Sequence, residues 1–441
     1  MNVIRSSEFR GRSSERGVTM IIIALAMVSL LAMAALAIDV TTLYVAQGEA
    51  QNAADAAALA GAKMFATSGF TSVQAGAPPP IVQNDVCQSS GPGSTAAANK
   101  QAEAAAAQNK VVGQPAAIQT VACDFSQPAN PRITVTIQRT ALPTFFARVL
   151  NRTSSTVTAS ATAEAYNASG SAVQIEMSGV KPWLVPNCPP SNTGAPNANC
   201  PGNFFYVDAA NGNIANTGSF VGQMITLSRV TGGNTPAADN FYAMSVPITP
   251  DAPVCPSTNP VECDDVGTDP YHDNIACSSR YKFSCGQTIG PGQDVTVFTT
   301  TGYGVVTRQG TRCLIHASGD DSVNRGQDQF DGIGSVPVTI TGGANNPNAA
   351  LRSTRNISRS DSVVTVPIYD GRKLCFTSGG VTTCNQNATI VGFLQLGITE
   401  TLTGPSRLRG VIVNAIGCNP GAGGNPISSG VAPIPVRLIH N

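Results

Sequence analysis

From Gly17 to Ile38 the chain reads GVTMIIIALAMVSLLAMAALAI, 22 residues without a charge. As a helix this run would extend about 33 Å, close to the roughly 30 Å of bilayer hydrocarbon. Arg5, Arg10, Arg12 and Arg16 precede it, against Glu8 and Glu15. Asp39, Glu49 and Asp55 follow it before the first lysine, Lys63. Arginine is retained on the cytoplasmic side, so this asymmetry predicts a cytoplasmic tail at 1–16 and a single-pass anchor at 17–38. The remainder is expected to be periplasmic or extracellular. The competing reading is a cleaved signal peptide, because Ala32-Met33-Ala34 and Ala35-Leu36-Ala37 place small residues at a suitable spacing. The apolar run exceeds the roughly 7–15 residues of a signal core, which favours the anchor.

Beyond the run, Leu43, Ala46, Ala50, Ala53, Ala57, Ala60 and Met64 are spaced alternately by three and four residues. That is the spacing of one stripe along a helix. No proline interrupts the chain from the anchor to Met64, so one helix of about 48 residues is expected to leave the membrane. An alanine stripe lets another backbone approach closely. It can serve either as packing within its own domain or as an interface with a second helix.

These residues carry a resemblance. The segment has Glu15-Arg16-Gly17 before the span, Asp39 at its outer end, then Tyr44 and the run Gln51-Asn52-Ala53-Ala54-Asp55-Ala56-Ala57-Ala58-Leu59-Ala60. Over roughly residues 15–64 it resembles the amino-terminal segment of the TadE/TadG-like Flp pilus-assembly proteins. The resemblance implies a place in the Tad pilus and secretion machinery of bacteria, anchored in the inner membrane, with other pilus or pseudopilin subunits as partners. The fifth residue after Gly17 is Ile22, where processed prepilins carry Glu. Longer TadG relatives carry a von Willebrand A domain with an Asp-x-Ser-x-Ser metal motif. Glu176-Met177-Ser178-Gly179-Val180 keeps one of those three ligands, so no adhesion-type metal site is expected.

The exported part divides in two. At 66–94 the Gly, Pro and Ser content reads as a loop, and Thr95–Lys110 reads as a helix capped by Ser94 or Thr95. Residues 117–123 and 133–139 read as a hairpin, Leu142–Leu150 as a short amphipathic helix, and Ser155–Tyr166 as a strand. A long helix on an antiparallel sheet is a pilin-like module, here assigned to 39–166. From 171 to 441 the sequence shows short β-rich runs between turn signals and no amphipathic helix of ten or more residues. Examples are Met224–Leu227, Asp294–Thr299, Val336–Ile340, Ser362–Ile368, Ala388–Leu396, Leu408–Val413 and Val431–Ile439. The expected fold is therefore α+β: a transmembrane helix, a pilin-like module, and a mainly β, disulfide-rich region built as a sandwich or an elaborated barrel.

Twelve cysteines lack any Cys-x-x-Cys, so an exported chain should pair them as disulfides. Short loops predict Cys188–Cys200, Cys255–Cys263, Cys277–Cys285 and Cys375–Cys384, with Cys87–Cys123 in the pilin-like module and Cys313–Cys418 remaining. Asp264, Asp265, Asp269 and Asp273 surround His272 in an acidic loop. They form a weak calcium candidate, since no Glu closes an EF-hand pattern, and a solvated turn is the main expectation. His316 lies near Asp320 and Asp321, but no Gly-x-Ser-x-Gly elbow, Walker motif or dinucleotide fingerprint is present. Trp183, between two prolines, is expected to plug the domain junction. Lysine plus arginine equals aspartate plus glutamate at 26 each, which gives no electrostatic footprint for nucleic acid. No cofactor and no catalysis are expected. A membrane-anchored assembly component is the leading reading, ahead of a secreted adhesin or an envelope hydrolase.

Overall fold

The computed structural model describes residues 13–72, 80–127, 130–144, 146–151, 153–166, 176–177, 179–188, 206–208, 214, 220–230, 239–247, 263, 269–277, 279–298, 303–319, 324–334, 337–371, 374–379, 381–402, 407–418 and 434–439. Helix α1 runs unbroken over Ser13–Thr67. Alanine, leucine and methionine sustain it through both environments, and its first half exposes every large apolar side chain from Val18 to Ile38. This is the one helix among the described residues long and apolar enough to cross a membrane.

The second half of α1 lies on an antiparallel sheet of β1 (Ile118–Asp124), β2 (Arg132–Pro143) and β3 (Ser154–Ala165). Strand alternation turns Ile133, Val135, Ile137, Ala159, Ala161 and Ala163 toward the helix. The opposite face carries threonine and serine pairs such as Thr134 with Thr162, 2.8 Å apart. Helix α2 (Pro80–Val86) and a 3-10 turn at Phe70–Ser72 replace part of the expected loop. Helix α3 (Ala97–Gln108) packs on α1. Its cap is Ala96, which makes no side-chain capping bond, while Ser94 Oγ accepts from the Ala96 N–H at 3.2 Å. The amphipathic helix expected over Leu142–Leu150 shrinks to a 3-10 turn at Ala147–Leu150. Leu142 pairs with Ser155 beyond a bulge and is buried, so the strand continues through it.

The remainder is built around a closed ring of six strands. These are β4 (Trp183–Pro186), β5 (Met224–Arg229), β6 (Asn240–Ser245), β7 (Val363–Tyr369), β8 (Ala388–Leu402) and β9 (Arg407–Gly417). Around the ring β8 pairs with β7, β7 with β4, β4 with β6, β6 with β5, β5 with β9, and β9 with β8 again. The barrel, not the sandwich, is thus the form taken. Val364, Val366 and Ile368 fill its interior with Leu394, Leu396 and Ile398, while Phe393 and Tyr369 join a second cluster outside. Trp183 lies inside the barrel core against Phe241, not at the domain junction.

Among the described residues two helices pack on the barrel: α4 (Pro270–Ala276) and α5 (Gly304–Ile315). The twelve residues of α5 correct the expectation that this half has no amphipathic helix of such length. Thr307, Thr311, Leu314 and Ile315 form its buried face, but two glycines and the β-branched residues weaken its propensity. The final strand, β10 (Val436–Ile439), returns to pair with β3 in the first sheet.

Among the described residues four disulfides have both partners: Cys87–Cys123, Cys263–Cys313, Cys285–Cys418 and Cys375–Cys384. They overturn the expected Cys255–Cys263, Cys277–Cys285 and Cys313–Cys418 pairs. The barrel brings distant segments side by side, so chain separation is a poor guide to pairing. Cys188 and Cys277 are also disulfide-bonded, and Cys200 and Cys255 lie outside the described residues.

Candidate functional site

The alanine stripe is occupied by its own module. Ala46, Ala50, Ala53, Ala57 and Met64 are fully buried against the sheet and α3, and Leu43 and Ala60 are partly buried. Their small side chains set the distance to the sheet. A Cβ on Gly61 would stand 2.6 Å from Ile133 Cδ1 and 3.3 Å from the Ala98 carbonyl oxygen. Gln47 and Gln51 donate from Nε2 to the Thr158 and Ser160 carbonyls at 2.9 and 3.3 Å. The stripe therefore takes the within-domain alternative in this chain.

What α1 leaves open is a different face. Thr41, Tyr44, Val45, Gly48 and Asn52 are exposed just above the apolar run, with Tyr44 at 77%. Spacings of three and four residues hold Thr41, Val45, Gly48 and Asn52 on one side of the helix. Beside them a groove of about 500 Å³ is lined by Ile38, Thr41, Val45, Glu49 and Val112, among others. Thr41 and Thr42 donate their hydroxyls to the Ala37 and Ile38 carbonyls, which turns methyl groups outward. Glu49 Oε2 accepts from the Val112 N–H at 2.7 Å and fixes the groove's far wall. The chemistry of this surface is apolar contact with a few hydrogen-bonding groups, as in a helix-binding face. The alternation of alanines marks the buried side so strongly that this neighbouring side had no comparable signal in the sequence.

The other candidate residues have structural partners or lie outside the description. Asp269 caps α4 by accepting from the Tyr271 N–H at 2.8 Å, and Asp273 lies 3.4 Å from His272 Nδ1. Asp264 and Asp265 are outside the described residues, as are Asp320 and Asp321. Among the described residues no group of three or more His, Cys, Asp and Glu converges. His316 Nε2 lies 2.9 Å from Asp361 Oδ2, and that hydrogen bond is the main cause holding the Asp361 carboxyl below its ordinary range. Nearby, Lys181 is fully buried and donates from Nζ to the Ile275 carbonyl at 2.7 Å and to that of Cys277. Burial brings its pKa down to about 7, opposed by the charge of Asp361. Sequence reading missed Lys181, because nothing local distinguishes a buried lysine from a solvated one.

The anchor and the module also meet the barrel. The Asn414 side chain, fully buried on β9, donates from Nδ2 to the Ala66 carbonyl at 2.7 Å and to Thr71 Oγ1 at 2.9 Å. The Ala66 carbonyl also accepts from the Gly69 N–H at 3.3 Å, so Asn414 adds a second donor at the end of α1. Gly69 adopts a left-handed φ of +77° there, and a Cβ on it would lie 2.5 Å from the Val413 carbonyl oxygen.

Residues 17–64 match the family model described as Flp pilus-assembly TadE/G-like. The match begins with the apolar run and ends within the helix that packs on the sheet. No curated protein and no solved structure matches the chain.

Proposed function

We propose that the protein is a membrane-anchored component of a Tad/Flp-type pilus assembly or secretion system, acting through protein–protein contacts in the cell envelope. The observation that carries this reading is the coincidence of the 17–64 match with one continuous helix that is lipid-suited below and module-bound above. Arginines before the run support an orientation with the amino end in the cytoplasm and the module and barrel outside it. Oxidised cysteines throughout the exported part agree with such a compartment. The role is non-catalytic in this reading. Other pilus or pseudopilin subunits would contact the exposed Thr41–Asn52 face.

Deletion of the gene in cells that assemble such a pilus should abolish or reduce pili, and alkaline extraction should leave the protein in the membrane fraction. Normal piliation in the deletion strain would refute the role, and release by alkali would favour a secreted product.

A further inference from the structure

The end of the apolar run is tied to a loop far along the chain. Asp39, the first charged residue beyond the run, is 5% exposed. Its Oδ2 accepts from the N–H groups of Phe146 and Ala147 at 3.0 and 2.7 Å. A carboxylate at the edge of hydrocarbon needs such donors, so the connection between β2 and β3 is held wherever Asp39 sits.

The register along α1 gives the same height independently. Gln47 is eight residues above Asp39, about 12 Å along the helix. It contacts Thr158, which is four residues beyond Ser154, about 13 Å along β3. Ser154, where β3 begins, therefore stands level with Asp39, and Pro143, its partner at the end of β2, stands beside it, so both ends of the connection are at that height. In that connection Phe146 is 43% exposed and Arg148 is exposed. Tyr44 and Val40 are exposed on α1 close to the same level.

We propose that this connection is a second membrane contact, with Phe146 seated in the phospholipid interface where α1 emerges and Arg148 facing lipid phosphates. Aromatic rings favour that depth, and arginine pairs well with phosphate. The occupant is the lipid surface, because the only anchor in the described residues delivers the loop to it. The inference rests on α1 spanning the bilayer. Two attachment points, the helix and the loop, would fix the rotation and tilt of the module and so direct the Thr41–Asn52 face.

Trp183 is the sole tryptophan and is buried in the barrel, so it supplies a constant background that lipid bromines do not reach. The full chain is placed in vesicles of phosphatidylcholine with a minority of phosphatidylglycerol, with brominated lipids carrying the quencher at shallow or deep positions. Phe146→Trp should lose most of its added fluorescence to shallow bromines, Leu30→Trp to deep ones, and the unsubstituted protein almost none. Adding Asp39→Ala to Phe146→Trp should reduce the shallow quenching several-fold while the Cys87–Cys123 disulfide and the circular dichroism are retained. An unquenched Phe146→Trp beside a quenched Leu30→Trp overturns the second contact and leaves the anchor standing. If Leu30→Trp is also unquenched, the spanning helix fails and the second contact with it.

Discussion

Lys181 carries the clearest linkage between charge and stability in the barrel. The unfolded chain holds its proton up to the ordinary value near 10.5, whereas the folded chain releases it near 7. Between those values the unfolded state binds more protons, so stability rises with pH across the window and is lost as pH falls toward 7. From about pH 7.5 to about pH 9.5 this should add about 2 kcal/mol in urea unfolding. Lys181→Met should flatten that slope, and an unchanged slope would contradict the burial argument. Gly69 is a second single-residue test. Gly69→Ala forces a left-handed φ on a Cβ that meets backbone, and should cost about 1–3 kcal/mol or more in thermal unfolding. A neutral effect would mean that the helix end does not dock on β9 as described.

At the scale of elements, the packing of α1 makes the alanine stripe a stability determinant. Ala53→Leu and Ala57→Leu add bulk where the sheet and α3 already touch, and should each lower stability by about 1–3 kcal/mol. Recovery of partner proteins per folded molecule should not change. The converse result, intact stability with lost partners, would restore the stripe as an intermolecular surface. The closing strand β10 depends on Glu164, a buried carboxylate 3.2 Å from Arg132 Nε and 2.6 Å from Arg437 Nη2. Both arginines are half exposed and can turn to water, so Glu164→Ala should cost only about 1–2 kcal/mol. Its sharper consequence is faster hydrogen exchange at Val436–Ile439.

These elements also show what the sequence disclosed. Helix α1 and strands β1 to β3 follow periodicities of 3.6 and 2, so local patterns sufficed there. Helix α5 escaped because glycine and β-branched residues weaken local preference, and the barrel supplies its stability by burial. Cys263 pairs with Cys313 on α5, 50 residues further along the chain, and such a pairing is set by tertiary contacts that local spacing does not encode. The open Thr41–Asn52 face was legible only as the remainder once burial of the stripe was known.

For the whole molecule, the chain is a graded object: lipid-suited helix, helix-on-sheet module, then a stapled barrel. Asn414 joins the last two by holding the carboxyl end of α1, and β10 ties the chain's final described strand back to the first sheet. A force or rotation applied at the barrel would thereby reach the helix. Phosphatase fused after Ala62 should be active in intact cells, as the arginine asymmetry requires. Activity confined to a cytoplasmic reporter at that position would reverse the orientation. The most direct test of the assembly role is photo-crosslinking in piliated cells at normal expression, with a photoreactive residue replacing Val45 or, separately, Ala53. Adducts between this chain and another pilus-assembly protein from Val45, with none from the buried Ala53, are the predicted result; no intermolecular adduct from Val45 in folded, membrane-inserted protein would contradict it.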